Sequence, residues 1–480
     1  MTFTIFMRKS ILFGLALVVL QVSCHYHAQN HSPRFVSEPA TMDIPVRHGP
    51  LLESELLTAS RAWAYFDRTL FPETGLPQGA VGSDTVTMWD IGSYLAALVA
   101  AKRVGVLDEV TFDRRMTSVI YWLNTMQLND YGLPNKFYNA RTGEMIRGDG
   151  QPGQTGFSAL DIGRLLIWLR IIRNEFITHA TPVDKAVLRF NFRHVLDSDG
   201  LIHGASPASD GTMTLYREGR LGMRQYAATG FGLWGFNVDK SMEMDHVSAV
   251  TILGQWLPFD NRPKGNPVQL GAVTTRTGML AGLEFGFVDF RNDASAPLSS
   301  SMRELADAIY LVQEARFSQQ GKLTARDPHV MDRSPYYLID SLYAQGVPFA
   351  SLDGSGNPIP EAAVVSTKAA YTLWALYDSP FTDALINALA PIYDQYGGWF
   401  AGIYEEDGTV NRAISLDCNA IILEALAFKA TGILYHPVER TGFWEKTLEN
   451  ENFEELGLPP VMYQKEFQPL LEQDKARPTP

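Results

Sequence analysis

Cysteine is almost missing: a chain of 480 residues holds two, Cys24 and Cys418. That excludes a disulfide-stapled scaffold and a paired Cys-x-x-Cys site. Positive charge is also short. Lys plus Arg is 40 against 53 for Asp plus Glu, a formal charge of −13. A net acidic surface repels phosphate, so nucleic acid is not an expected partner. Long apolar runs are lacking as well. Ile11 to Leu20 is too short for a bilayer-spanning helix, which needs about 20 apolar residues, and no later stretch reaches that length. There is no Gly-x-Ser-x-Gly elbow and no phosphate-binding loop of the Walker type. What is plentiful is core material: 46% of the residues are hydrophobic and 11% aromatic, which excludes a disordered or collagen-like chain.

The first segment reads as an export signal over residues 1–24. Met7-Arg8-Lys9-Ser10 is a basic start, with Met7 a second candidate initiator, and Ile11 to Leu20 is the apolar stretch that follows. Val22-Ser23-Cys24 resembles a bacterial lipoprotein cleavage site, although Gln21 stands where an aliphatic residue is usual. Lipidation of Cys24 and plain cleavage near Ala28 both stay open. Residues 25–50 form a polar linker whose four histidines fit no standard metal-ligand spacing. The mature chain is therefore expected in the periplasm, lipid-anchored to a membrane, or secreted, with lipid as its one membrane contact. Cys418 lies in an apolar helical pattern and reads as an inert buried thiol.

From residue 51 to 435, apolar residues recur mainly at helical spacing. Some candidate helices are apolar all round, such as Ile91 to Ala101 and Ala420 to Ala427; others, such as Glu109 to Gln127, carry charge on one side. That alternation predicts two concentric layers. The expected fold is all-α, an (α/α)6 toroid of about twelve antiparallel helices, with a small irregular or β insertion over Val247 to Arg276. Residues 436–480 are left as a C-terminal extension. Four long connections, Asn129–Phe157, Ser198–Gly219, Gln320–Pro335 and Tyr396–Ala413, each precede a strongly apolar helix. In such a ring the inner helices run the same way, so these loops should gather at one mouth and hold the pocket.

Carboxylates open several of the apolar helices. Thr87-Met-Trp-Asp90 and Ser158-Ala-Leu-Asp161 share a hydroxyl three residues before an Asp, and Ser415-Leu416-Asp417 is a looser version. One reading is a capping box, in which the acid answers the positive helix end. The other is a ring of acids around one cavity. Glycosidic cleavage needs two carboxyl groups, one to protonate the leaving oxygen and one to activate water or attack carbon. The readings are compatible. The stretch Tyr396 to Gly408 offers Trp399 and Tyr404 as flat faces for sugar rings, with Glu405 or Glu406 as an acid; a solvated turn with its aromatics packed inward is the alternative. Arg333 and Tyr336, around Pro335, are candidates to bind hydroxyls or sugar rings, and Arg333 reads equally as a surface ion-pair partner. Lys368 opens an apolar helix and calls for an acidic partner. Arg276 and Glu284 are a candidate structural pair. Glu243, Asp245 and His246 lack the spacing of a metal motif, so no metal and no cofactor is expected. Gly230-Phe-Gly-Leu-Trp-Gly235 reads as helix-packing glycine rather than a dinucleotide loop.

The strings Val86-Thr-Met-Trp-Asp-Ile-Gly-Ser-Tyr-Leu, Asp332-Arg-Ser-Pro-Tyr-Tyr, Ser366-Thr-Lys-Ala-Ala-Tyr, and Gly398-Trp-Phe-Ala-Gly-Ile-Tyr-Glu-Glu followed by Asn419-Ala-Ile-Ile-Leu-Glu-Ala-Leu carry a resemblance. The chain resembles a bacterial exported family catalogued as a domain of unknown function, itself similar to six-hairpin glycosidases of the glucoamylase-like and β-1,2-glucanase-like kinds. The resemblance implies the toroid and a glycan ligand; it supplies no catalytic residues.

The expected function is thus an exported glycoside hydrolase with a polysaccharide or oligosaccharide partner. Asp90 and Asp161 are its candidate site carboxylates and Glu405 its candidate general acid. Trp89, Tyr336, Trp399 and Tyr404 are the candidate sugar platforms, and Arg333, Lys368 and Glu406 further binding residues. Two alternatives stand beside it: a non-catalytic glycan-binding or polysaccharide-assembly protein on the same fold, and a polysaccharide lyase using a Tyr or His base.

Overall fold

Helices that are apolar all round must be buried all round, and six of them close a ring. In the computed structural model, which describes residues 44–438 except 209, 266 and 291–298, and residues 442–449, the helices are α1 (Glu53–Thr69), α2 (Met88–Arg103), α3 (Glu109–Thr125), α4 (Ala159–Glu175), α5 (Ile177–Leu188), α6 (Met223–Gly232), α7 (Asp239–Met242), α8 (Arg276–Phe285), α9 (Ser299–Gln320), α10 (Thr367–Leu376), α11 (Pro380–Leu389), α12 (Leu416–Thr431) and α13 (Phe443–Glu449). The even-numbered helices α2, α4, α6, α8, α10 and α12 pack side by side in that order, and α12 closes back on α2. Their odd-numbered neighbours lie outside them: α3 on α2, α5 on α4, α9 on α8, α11 on α10 and α1 on α12. The burial follows the sequence. In α12 every residue from Leu416 to Phe428 is buried, whereas α1 buries one stripe through Ala59, Ala62, Trp63 and Phe66.

The inner wall between α4 and α6 is made of small residues. A Cβ on Gly230 would stand 2.1 Å from the Gly163 carbonyl oxygen, and one on Gly163 would collide with Ala227. The two backbones touch, which gives the glycine of the Gly230–Gly235 stretch its packing role. Gly230→Ala is expected to force the helices apart and cost about 1–3 kcal/mol in a urea melt, the usual penalty of overpacking.

The chain is not all-α. Among the described residues helix accounts for 44% and strand for 17%. The strands form eight small antiparallel sheets of two or three strands. Val247–Ile252 and Gln255–Asp260 pair within the expected insertion. Most of the others fold the long loops: Thr85–Val86, Phe137–Asn139 and Met145–Ile146 make one sheet, and Val364–Ser366, Gly402–Tyr404 and Val410–Asn411 another. Strands this short carry too few residues for a period-two pattern, so the sequence shows them only as loops.

The end of the expected linker is docked rather than loose. Arg47 reaches Asp378 at 2.8 Å and Asp383 at 2.7 Å beside α11, and its amide donates to the Ala375 carbonyl. The export signal, Cys24 and residues 450–480 lie outside the described residues. Among the described residues no helix is long and apolar enough to cross a membrane.

Candidate active site

The N-termini of five inner helices deliver charged side chains to one mouth of the ring. At α2, the Thr87 hydroxyl accepts the Asp90 amide at 3.1 Å, and the Asp90 carboxyl accepts the Thr87 amide and hydroxyl, both at 2.9 Å. This is the reciprocal capping box. At α4 the Ser158 hydroxyl accepts the Asp161 amide at 3.2 Å, without the return bond. Arg276 opens α8, Lys368 follows the first residue of α10, and Asp417 lies in the first turn of α12. Asp417 accepts from Trp89 Nε1 at 2.9 Å, from Arg276 at 2.9 Å and from Lys368. Asp327, from the loop after α9, takes two guanidinium nitrogens of Arg276 at 2.8 and 2.6 Å and lies 3.4 Å from Lys368. Two cations thus alternate with two anions on one side of the mouth.

Across from that square lies a group in which acids outnumber cations. Glu218 follows the hairpin His203–Pro207/Met213–Arg217 and reaches the start of α4, where it accepts the Ala159 and Leu160 amides. Tyr216 donates to its other oxygen at 3.2 Å, and Lys136 closes the side, bonded to the hydroxyls of Ser206 at 2.5 Å and Tyr216 at 3.2 Å. Asp90 and Asp161 are partly exposed while ringed by protein, the situation of groups on the floor of a recess.

Burial and charge divide these carboxyls. Burial pushes Asp161 up to about 7, and the charges of Glu218 and Asp90 push the same way. Burial raises Asp90 to about 6; the Thr87 amide opposes it and the Asp417 charge adds to it. Burial also raises Glu218, against Lys136. Asp417 goes the other way: burial alone would raise it, but Arg276, Lys368 and Arg164 hold it well below the usual carboxylate range. The positive helix ends favour the ionised form of Asp90 and Asp161; desolvation outweighs them. The mouth therefore holds two carboxyls poised near neutrality beside one fixed carboxylate.

Glu405 is not on this floor. Its oxygens are gripped by Arg316 at 3.0 and 3.2 Å and by Arg326 at 2.8 Å, in a cluster with Asp340 and Ser351. A carboxylate engaged by two guanidinium groups is not free to hand over a proton, so the general-acid expectation for Glu405 is corrected to an ion-pair anchor. Trp399 is 1% exposed, with its indole N–H on the Thr58 carbonyl and its ring edge-on to Tyr371 and Tyr393. It is core, not platform. Tyr404 is likewise buried, covered by the Arg333 guanidinium at 3.8 Å, and its hydroxyl donates to Asp332. Trp89 belongs to the site through its N–H; Arg164 and Arg276 lie over its ring at 4.9 and 5.3 Å. Glu406 is exposed on its turn, and Tyr336 is exposed on the surface. The neighbouring Tyr337 is the tyrosine of the mouth: it is half exposed, and burial of its hydroxyl raises it to about 12 in the fields of Arg276, Asp417 and Asp327. Arg276 and Glu284 do not pair, since Arg276 serves Asp327 and Asp417 while Glu284 serves Arg164. Asp245 is taken by Arg217 and Arg224, and Glu243 by Lys240. Among the described residues no group of three His, Cys, Asp or Glu side chains is arranged for a metal. Cys418 is free and buried, and burial drives its thiol up to about 12.

Glu218 and Asp327 were missed. Both sit in long loops that the sequence marks as functional, but neither opens a helix or carries a motif. Their roles come from contacts with residues 59 and 51 positions away, which spacing does not encode.

Below the mouth, the ring axis is filled by Arg164. It donates to Ser93 at 2.9 Å, Tyr226 at 2.7 Å, Glu284 at 3.0 Å and Glu424 at 2.5 Å, with all three charged groups fully buried. Ser93 in turn lies 3.5 Å from Asp417. The floor of the mouth thus rests on a hydrogen-bonded plug.

The helical ring is a glycoside hydrolase-like fold, and solved structures of that fold superpose on the chain. An endo-β-1,2-glucanase from Chitinophaga pinensis, in complex with sophorotriose and glucose, matches with a TM-score of 0.57 and 12% identity over 85% of this chain and 97% of its own. A glucoamylase-like protein from Bacteroides caccae gives 0.58 and 14% over 84% and 97%. An endo-β-1,2-glucanase from Talaromyces funiculosus, with sophorose, gives 0.54 and 11% over 84% and 87%. At these identities the likeness shows the fold. No curated protein matches the sequence. The chain belongs to the family described as "Protein of unknown function (DUF3131)", matched over residues 57–432.

Proposed function

We propose that the chain is an exported glycoside hydrolase acting on an uncharged glucan, with Asp161 as proton donor to the leaving oxygen and Asp90 as the carboxylate that activates water. The observation that carries this reading is the pair itself. Two carboxyls from adjacent inner helices sit partly exposed at one mouth, Asp161 held near 7 by burial and the charges of Glu218 and Asp90, and Asp90 near 6 by burial and the charge of Asp417. A donor raised to neutrality keeps its proton until the leaving group needs it, and its partner ionises first. Glu218 supports the donor by adding negative charge beside it. Asp417 stays ionised and is spent on Arg276, Lys368 and Trp89, so it orients the mouth instead of moving protons. Tyr337, half exposed beside Arg276, offers a face to a sugar ring, and Tyr336 extends that surface outward.

The test is release of reducing ends from β-1,2-glucan and from starch. Binding without new reducing ends would assign the fold to a glycan-binding role, and ultraviolet-absorbing products to a lyase. The pH dependence is equally specific. Activity requires Asp161 protonated and Asp90 ionised, so kcat/KM is expected to fall as pH rises through about 7 and as it drops through about 6, the two values belonging to the coupled pair. Glu218→Gln removes a neighbouring negative charge. The Asp161 pKa should fall, and the alkaline limb should move to lower pH. A limb that stays in place would show that Asp161 is not the titrating group.

A further inference from the structure

On the outer wall, α3 and α5 enclose a groove of about 590 Å³ that the mouth does not use. It lies beyond α2 and α4 as seen from the ring axis, because α3 packs on α2 and α5 on α4. The groove is preformed. Near one end Asp113 faces His179 Nε2 at 3.2 Å; near the other Asn124 donates to the Pro182 carbonyl at 3.0 Å. These cross-links fix the spacing of the two helices. Along α3 the lining runs from Asp113 to Asn124, about 16 Å at the helical rise, which is room for a short run of sugar rings. Tyr121 stands at its edge, 69% exposed, an aromatic that the fold leaves uncovered. Thr117, Thr178 and Thr181 line the same recess.

We propose that this groove is a second glycan subsite, which holds a remote part of the polymer that the mouth cleaves; the inference rests on the glycosidase reading above. A sugar has an apolar C–H face and a rim of hydroxyls. Tyr121 matches the face, and the threonines match the rim. The formal charges on the lining, Asp113 and Lys185, cancel, which suits an uncharged chain. The recess is one helix pair wide, smaller than the patch a stable protein partner covers. Tethering a polymer at two points raises its effective concentration at the mouth, so the groove serves long substrates and is idle with short ones.

Affinity electrophoresis of the full chain as the Asp161→Asn variant, in gels containing β-1,2-glucan or starch, tests this. Retardation by one polymer is expected, and adding Tyr121→Ala should weaken apparent binding by about 3- to 10-fold, the loss of one aromatic contact. In the active chain, Tyr121→Ala should lower kcat/KM on that polymer and leave hydrolysis of sophorotriose or maltotriose unchanged. Hydrolysis with retardation absent, or unaffected by Tyr121→Ala, overturns the groove alone. Self-association abolished by Tyr121→Ala would give the groove to a second copy of the chain and overturn it too. A chain that neither hydrolyses nor is retarded overturns the glycosidase reading, and the groove falls with it.

Discussion

Asp161→Asn is expected to slow cleavage of a natural glucan by about 10²–10⁴-fold, the usual worth of a positioned acid. The loss should shrink on an aryl glycoside with a good leaving group, which departs without a proton. That contrast separates a missing proton donor from a damaged fold. The fold itself should survive, because the α4 cap uses the Asp161 backbone amide and not its carboxyl. Stability should even gain at neutral pH. A carboxyl whose folded pKa is raised to about 7 binds its proton more tightly folded than unfolded, so it costs the native state progressively as pH rises from the ordinary carboxylate value towards 7. Asn carries no such cost. Above that window the Asp161→Asn chain should melt higher than its parent in a thermal scan. Equal release of reducing ends by the two chains would end the assignment of Asp161.

Much of the ring is legible in the sequence. Helices buried on every side write long apolar stretches, and α2, α4 and α12 are of that kind. A hydroxyl three residues before an acid marks a helix start, and that pattern led to Asp90 and Asp161. It did so for a physical reason: parallel inner helices put their N-termini at one end, so whatever caps them also lines the mouth. Aromatic residues gave no such guide. Trp399 in its glycine-rich turn has the composition of a sugar platform, but its ring fills the space between Tyr371 and Tyr393, and spacing along the chain does not tell a face turned inward from one turned outward. Glu405 failed similarly. Its partners, Arg316 and Arg326, lie 89 and 79 positions away. Helix starts are local events, whereas ion-pair partners are chosen by the closed ring.

The largest effect on stability is expected at the axis, from Arg164→Met. Arg164 is the cation for two carboxyls, Glu284 and Glu424, all three with no exposed side-chain surface. Burial raises both acids, and the guanidinium is what opposes it. One positive charge answers one negative charge, so the second carboxyl is the weaker partner. Glu284 is the better held, accepting from Trp168 at 3.1 Å and Tyr226 at 2.9 Å as well as from Arg164. Removing the guanidinium therefore strands Glu284 in a site built for a carboxylate, and breaking a buried pair in this way costs about 3–5 kcal/mol, read as a lower urea midpoint. Glu424→Gln should cost much less, since burial raises that carboxyl to about 8, so the amide replaces a group largely protonated near neutral pH and keeps an oxygen for Arg164. Combining Arg164→Met with Glu284→Gln and Glu424→Gln should recover much of the loss, because no unpaired charge remains. The same network reaches the mouth through Ser93, which receives Arg164 Nε and stands beside Asp417. Arg164→Met should therefore also free Asp417 from one of the three cations that hold it ionised. An Arg164→Met chain as stable as the parent would mean that both carboxyls are already neutral and that the guanidinium contributes packing alone.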